Sequence, residues 1–195
     1  MHSINGLEEG YLTLSDQLAA EGFVVLTLGW QEYEREPPLD VLDQLLRDSV
    51  AYLRSRDDVA SEQIGLTGFC IGGFHTMYFL PTIDDFASGV AWYGFPTRGD
   101  EGNRPIDDAI LSQLDTPMLI IHGTADQASP ISGIYDYANA LDQADKFFEL
   151  NVYQGEPHSF LVDGTLQNTF AADDAYAQMV SFFERTLNMA STEGQ

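Results

Sequence analysis

Basic side chains are what this sequence has least of: Lys and Arg total 8 against 31 Asp and Glu in 195 residues, a formal net charge of −23 at pH 7. Lys146 is the sole lysine. Nucleic acids and anionic membranes are held by Lys and Arg that displace counterions from phosphates, so neither is an expected partner. Cysteine is nearly absent too. Cys70 stands alone, which excludes an intramolecular disulfide and a CxxC metal or redox motif and points to a reducing, cytoplasmic setting. Long apolar runs are also missing. Phe23-Val24-Val25-Leu26 falls far short of the roughly 20 residues that a membrane-spanning helix needs. Met1 to Gly6 has neither the basic nor the apolar region of a secretory signal.

What is present is enough to build a core: 44% of residues are hydrophobic and 12% aromatic, which argues against disorder. The length fits one domain spanning 1–195, as a monomer or small homo-oligomer. Acidic residues are spread along the chain, as in Glu32, Glu34, Glu36, Asp84, Asp85 and Asp173, so the charge belongs to the surface and not to a tail. This composition resembles that of proteins from salt-loving organisms, where a Debye length of about 3 Å at 1 M salt screens carboxylate repulsion.

Short apolar runs alternate with longer amphipathic ones, the pattern of a parallel α/β sheet. Helices are expected over Tyr11 to Ala20, Leu39 to Arg54, Gly72 to Leu80, Ile131 to Ala144 and Phe170 to Leu187. Strands are expected at Phe23 to Leu28, Ile64 to Thr67, Gly89 to Tyr93, Pro117 to Ile121 and Phe147 to Tyr153. Ligands of such sheets bind beyond the carboxyl ends of the strands.

Three residues stand just there. Gly68-Phe69-Cys70-Ile71-Gly72 follows a strand and opens a helix, with glycines two before and two after the cysteine, the spacing of a nucleophile elbow. A small buried thiol is the plainer alternative. Asp126 follows the strand ending at Ile121, within His122-Gly123-Thr124-Ala125-Asp126, and His158 follows the strand ending near Tyr153. Alone, each suits a turn or a solvated loop. Together, Cys70, Asp126 and His158 run in the chain order nucleophile, acid, histidine of an α/β-hydrolase.

Over nearly its whole length the sequence resembles the dienelactone hydrolase family, through His2-Ser3-Ile4-Asn5-Gly6-Leu7, Gly68-Phe69-Cys70-Ile71-Gly72-Gly73, Val90-Ala91-Trp92-Tyr93-Gly94, His122-Gly123-Thr124-Ala125-Asp126 and Pro157-His158-Ser159-Phe160. The resemblance implies an α/β-hydrolase fold, a mostly parallel sheet with helices on both faces. It implies Cys70 as nucleophile, His158 as base, Asp126 as orienting acid, and an oxyanion hole from the backbone N–H groups of Ile71 and Ile4. The expected reaction is hydrolysis of a small-molecule ester or lactone, with no metal or organic cofactor. The other expectation is a silent hydrolase fold that binds or senses redox state through Cys70.

Departures accompany the resemblance. Members carry further strands ahead of the segment that matches His2 to Leu7, so N-terminal strands are expected to be missing here: either Met1 is internal to a longer reading frame, the favoured expectation, or the sheet is incomplete. Ser3 stands where dienelactone-cleaving members have a Glu facing the resting Cys. Val162 stands where they have an Arg for the substrate carboxylate, so a dienelactone substrate is not implied. Arg98 and Arg104, in the loop from Pro96 to Pro105, are candidates to attract an anionic substrate. His75 is expected to be packed or solvated, and His122 with Asp126 is too small a set for a metal site. Either Trp92 or Tyr93 is a candidate pocket wall.

Overall fold

A computed structural model of the chain describes residues 1–96 and 106–190. The elements in order are α1 (Glu9–Ala20), α2 (Leu39–Arg54), β1 (Gly65–Phe69), α3 (Ile71–Phe79), β2 (Ser88–Trp92), α4 (Asp108–Leu111), β3 (Met118–Gly123), α5 (Ile131–Gln143), β4 (Phe148–Tyr153), β5 (Val162–Asp163), β6 (Thr165–Leu166) and α6 (Phe170–Ala190). In α2 the leucine spacing buries Leu42, Leu46 and Val50 along one stripe, as a helix with apolar residues four apart should. Its polar face carries an Asp43–Arg47 pair at 2.7 Å.

Strands β1 to β4 form one parallel sheet in sequence order. Side chains alternate between its faces, and β2 shows which helix covers which. Ser88 and Trp92 reach Thr186 and Met179 of α6, whereas a Cβ on Gly89, one residue on, would meet Leu80 beyond the end of α3. Helices therefore cover both faces, as the sequence implies. Strand β3 is buried at every position, in keeping with its unbroken apolar run.

One expected strand is absent. Residues 23–28 belong to no sheet, and Val24 and Leu26 are 43% and 39% exposed. Their composition favours a strand, but a ladder also requires a neighbour about 4.8 Å away. Here a cavity of about 540 Å³ intervenes, lined on one side by Phe23 to Leu28 and on another by Gly65, Leu66 and Thr67 of β1. Met1 joins the exposed edge of β1: its amino group donates to Thr67 O, and Phe69 N–H donates to Met1 O at 3.0 Å. Burial pushes that amino group down to about 5. The short β5–β6 hairpin, turning at Gly164 with φ 69°, packs on α1, where Gly10 N–H donates to Gly164 O at 3.0 Å.

Candidate active site

Cys70 occupies the one-residue junction between β1 and α3, with φ 58° and ψ −116°, a conformation that L residues seldom adopt. The glycine spacing around it has a steric cause. A Cβ on Gly68 would lie 2.0 Å from Gly72 O, and one on Gly72 would lie 2.4 Å from Met1 O. Cys70 N–H donates to Trp92 O at 3.1 Å, and its carbonyl accepts from Phe74 N–H at 3.1 Å, so both sides of the junction are fastened. The side chain is buried.

Asp126 follows β3 and His158 follows β4, so both lie at the same sheet end as Cys70. His158 Nδ1–H donates to Asp126 Oδ2 at 2.7 Å. The other carboxylate oxygen accepts from Ala128 N–H at 2.9 Å and Ser129 N–H at 2.8 Å. Burial acts to raise the pKa of Asp126, but these donors outweigh it and hold the carboxyl below its ordinary value. Burial likewise works against charge on His158, yet Asp126 and the neighbouring Cys70 overcome it and lift the imidazole to about 9. His158 Nε2 is buried and has no partner at hydrogen-bond geometry. Loose nucleophile–base contacts of this kind are common before substrate binds. The rings of Tyr93 and Phe95 stand 5.1 and 5.4 Å from that of His158.

Met1 and His2 lie against the elbow, as the close approach of Met1 O and His2 O to Gly72 records, and lead into the segment that runs to Asn5. Two side chains from the loop after residue 28 hold it. Trp30 Nε1–H donates to His2 O at 3.1 Å and stacks on the His2 ring at 5.0 Å, and Gln31 Nε2–H donates to Ile4 O at 3.2 Å. Ile71 opens α3, where first-turn N–H groups have no intrahelical acceptor. Sequence reasoning missed Trp30 and Gln31, because nothing in the local pattern shows which distant carbonyls they meet.

The remaining candidates fall into place as follows. Ser3 is buried, accepts from Asn5 N–H at 3.1 Å and donates to Glu8 Oε2 at 3.3 Å, so a carboxylate is present beside it after all, supplied by Glu8. Val162 is buried in β5. Trp92 and Tyr93 are both fully buried, and Tyr93 is the one against His158. His75 is packed edge-on to Trp30 at 4.9 Å. Arg98 and Arg104 lie outside the described residues. Among the described residues no three His, Cys, Asp or Glu side chains are grouped to hold a metal, and no helix is long and apolar enough to cross a membrane.

A model of the dienelactone hydrolase family matches residues 28–187. The chain is 31% identical over 163 aligned residues to a candidate carboxymethylenebutenolidase of Methylorubrum extorquens, covering 79% of this chain and 55% of that protein. It is 27% identical to a candidate 2-oxo-3-(5-oxofuran-2-ylidene)propanoate lactonase of a Bradyrhizobium species, over 82% of this chain and 71% of that one. The chain thus spans little more than half the length of the first relative and about seven tenths of the second. The crystal structure of a candidate dienelactone hydrolase from Klebsiella pneumoniae superposes with a TM-score of 0.77 at 21% identity, over 94% of this chain and 84% of that one. That likeness bears out the α/β-hydrolase fold.

Proposed function

Because the chain belongs to the dienelactone hydrolase family, we propose that it hydrolyses carboxylic esters or lactones through a Cys70–His158–Asp126 triad and a covalent acyl-enzyme. The observation that carries this reading is the 2.7 Å bond from His158 Nδ1 to Asp126 Oδ2, which fixes the tautomer and leaves Nε2 as the basic nitrogen beside Cys70 on its strained turn.

The steps follow from that tautomer. His158 Nε2 takes the thiol proton and, with its pKa lifted to about 9, holds it as the imidazolium at neutral pH while Cys70 Sγ attacks the substrate carbonyl carbon. Negative charge moves to the carbonyl oxygen, for which the family resemblance assigns the N–H groups of Ile71 and Ile4 as donors. The tetrahedral adduct collapses, the C–O bond breaks, and His158 returns the proton to the leaving alkoxide. Water then gives a proton to Nε2 and attacks the thioester, releasing the acid and restoring the thiol. Asp126 keeps its charge throughout and steadies the imidazolium.

Val162, buried beside Tyr93, stands where the family resemblance has an Arg for the substrate carboxylate, which supports substrates without a carboxylate at that place. The net charge of −23 supports a surface suited to high salt. Added salt screens its self-repulsion, so the melting temperature should rise between low and molar NaCl in a calorimetric series, and a flat or falling series would contradict that part of the reading.

The test of the activity is hydrolysis of 4-nitrophenyl acetate by the wild type and by Cys70→Ala. Loss of turnover with an unchanged circular dichroism spectrum is the expected outcome. Retained turnover would remove Cys70 from the chemistry.

A further inference from the structure

We propose that His122 is a positioning residue of the catalytic centre: a second imidazole, behind the first, whose Nε2–H bonds Ser129 O and faces Asp126 Oδ2, and so keeps the Asp126 carboxylate at the angle at which Oδ2 meets His158. The inference rests on the triad reading and extends it to a residue that touches no substrate.

His122 is in β3, one residue before its end, and its side chain is fully buried. Its Nε2 lies 2.8 Å from Ser129 O and 3.4 Å from Asp126 Oδ2. Both are acceptors, and the opposite tautomer would set a lone pair against two oxygens, so Nε2 carries the hydrogen. Nδ1 is then a lone pair, and it is buried without a hydrogen-bond partner. A protonated His122 would place an unmatched N–H there. Burial accordingly pushes the pKa of His122 down, against the opposing pull of Ser129 O and Asp126.

The single Nε2–H serves two ends. By bonding Ser129 O it closes the loop from Gly123 to Ser129. Ser129 in turn donates its backbone N–H to Asp126 Oδ1 at 2.8 Å and its hydroxyl to Gly94 O at 2.7 Å. By facing Oδ2 it opposes rotation of the carboxylate away from His158. The titratable groups described against His158 are Asp126 at Nδ1, Cys70 toward Nε2, the Tyr93 phenol ring, and His122 through Asp126. Asp126 supplies the negative charge that favours the imidazolium, so loosening it lowers the pKa of His158.

The experiment compares His122→Leu, which removes the N–H, with His122→Gln, whose amide nitrogen can reach the place of Nε2. Two readouts are taken: the pH profile of kcat/KM for 4-nitrophenyl acetate, and an NMR titration of the His158 ring. His122→Leu should move the basic limb of the profile and the His158 titration down together by about one pH unit. His122→Gln should restore both. If His122→Leu fails to fold, His122→Asn, whose shorter amide cannot span to Ser129 O, is compared with His122→Gln by the same readouts. A folded His122→Leu or His122→Asn with the wild-type titration overturns the proposal, as does an equal shift in His122→Gln. The NMR titration reads His158 whether or not Cys70 is the nucleophile, so failure of the triad reading remains distinguishable from failure of this one.

Discussion

His158 Nδ1 and Asp126 Oδ2 meet at 2.7 Å although 32 residues separate them in the chain. Two adjacent parallel strands, β3 and β4, deliver them to one end of the sheet, and each charge is held against the desolvation that burial imposes on it. The site is built on that mutual support.

Stability should carry the mark of this pair. His158 ordinarily titrates at 6.5 and is lifted to about 9 in the folded chain. A raised folded pKa means that the contribution is fully present below pH 6.5 and is lost as pH rises through 9. Asp126→Asn should remove it and lower kcat by about 10²–10⁴-fold. Urea unfolding of both proteins from pH 6 to 10 is the measurement: the gap between them should close toward pH 10, and a gap that widens would contradict the assignment. Taking the difference cancels the separate titration of the buried Met1 amino group.

Gly68→Ala should cost about 1–3 kcal/mol or more, since the added Cβ would sit 2.0 Å from Gly72 O. Gly29→Ala, where nothing lies within 4 Å of the new atom, should stay within about 0.5 kcal/mol of the wild type. Thermal unfolding of the two variants checks the contrast.

Backbone amides of residues 24–28 should exchange with solvent far faster than those of β3, because no ladder protects them. Hydrogen exchange followed by mass spectrometry or NMR resolves the two segments. Equal protection would mean that residues 23–28 are paired in solution.

Most of the candidate site was legible in the sequence. Glycines flank Cys70 because a turn this tight leaves no room for Cβ atoms, and Asp126 and His158 follow successive strands of the sheet, so the chain order places them at one sheet end. Residues 23–28 were misjudged for an equally physical reason: apolar content reports a preference for burial, but a strand exists by its neighbour's hydrogen bonds, and the neighbouring space is a cavity. The part played by His122 could not be read either, because it depends on two acceptors converging on one nitrogen. Trp30 and Gln31 were hidden by distance along the chain, 28 residues from His2 and 27 from Ile4. The β5–β6 hairpin, two residues per strand, is too short for any periodicity to show.

The central claim is that Cys70 forms a covalent acyl-enzyme. Mixing the enzyme with excess 4-nitrophenyl acetate in a stopped-flow instrument, followed by acid quench and intact-mass measurement, tests it most directly. The account predicts a nitrophenolate burst of about one equivalent per chain and an acetyl adduct that maps to Cys70, both lost after iodoacetamide treatment. Steady turnover with no burst and no adduct on Cys70 would contradict it.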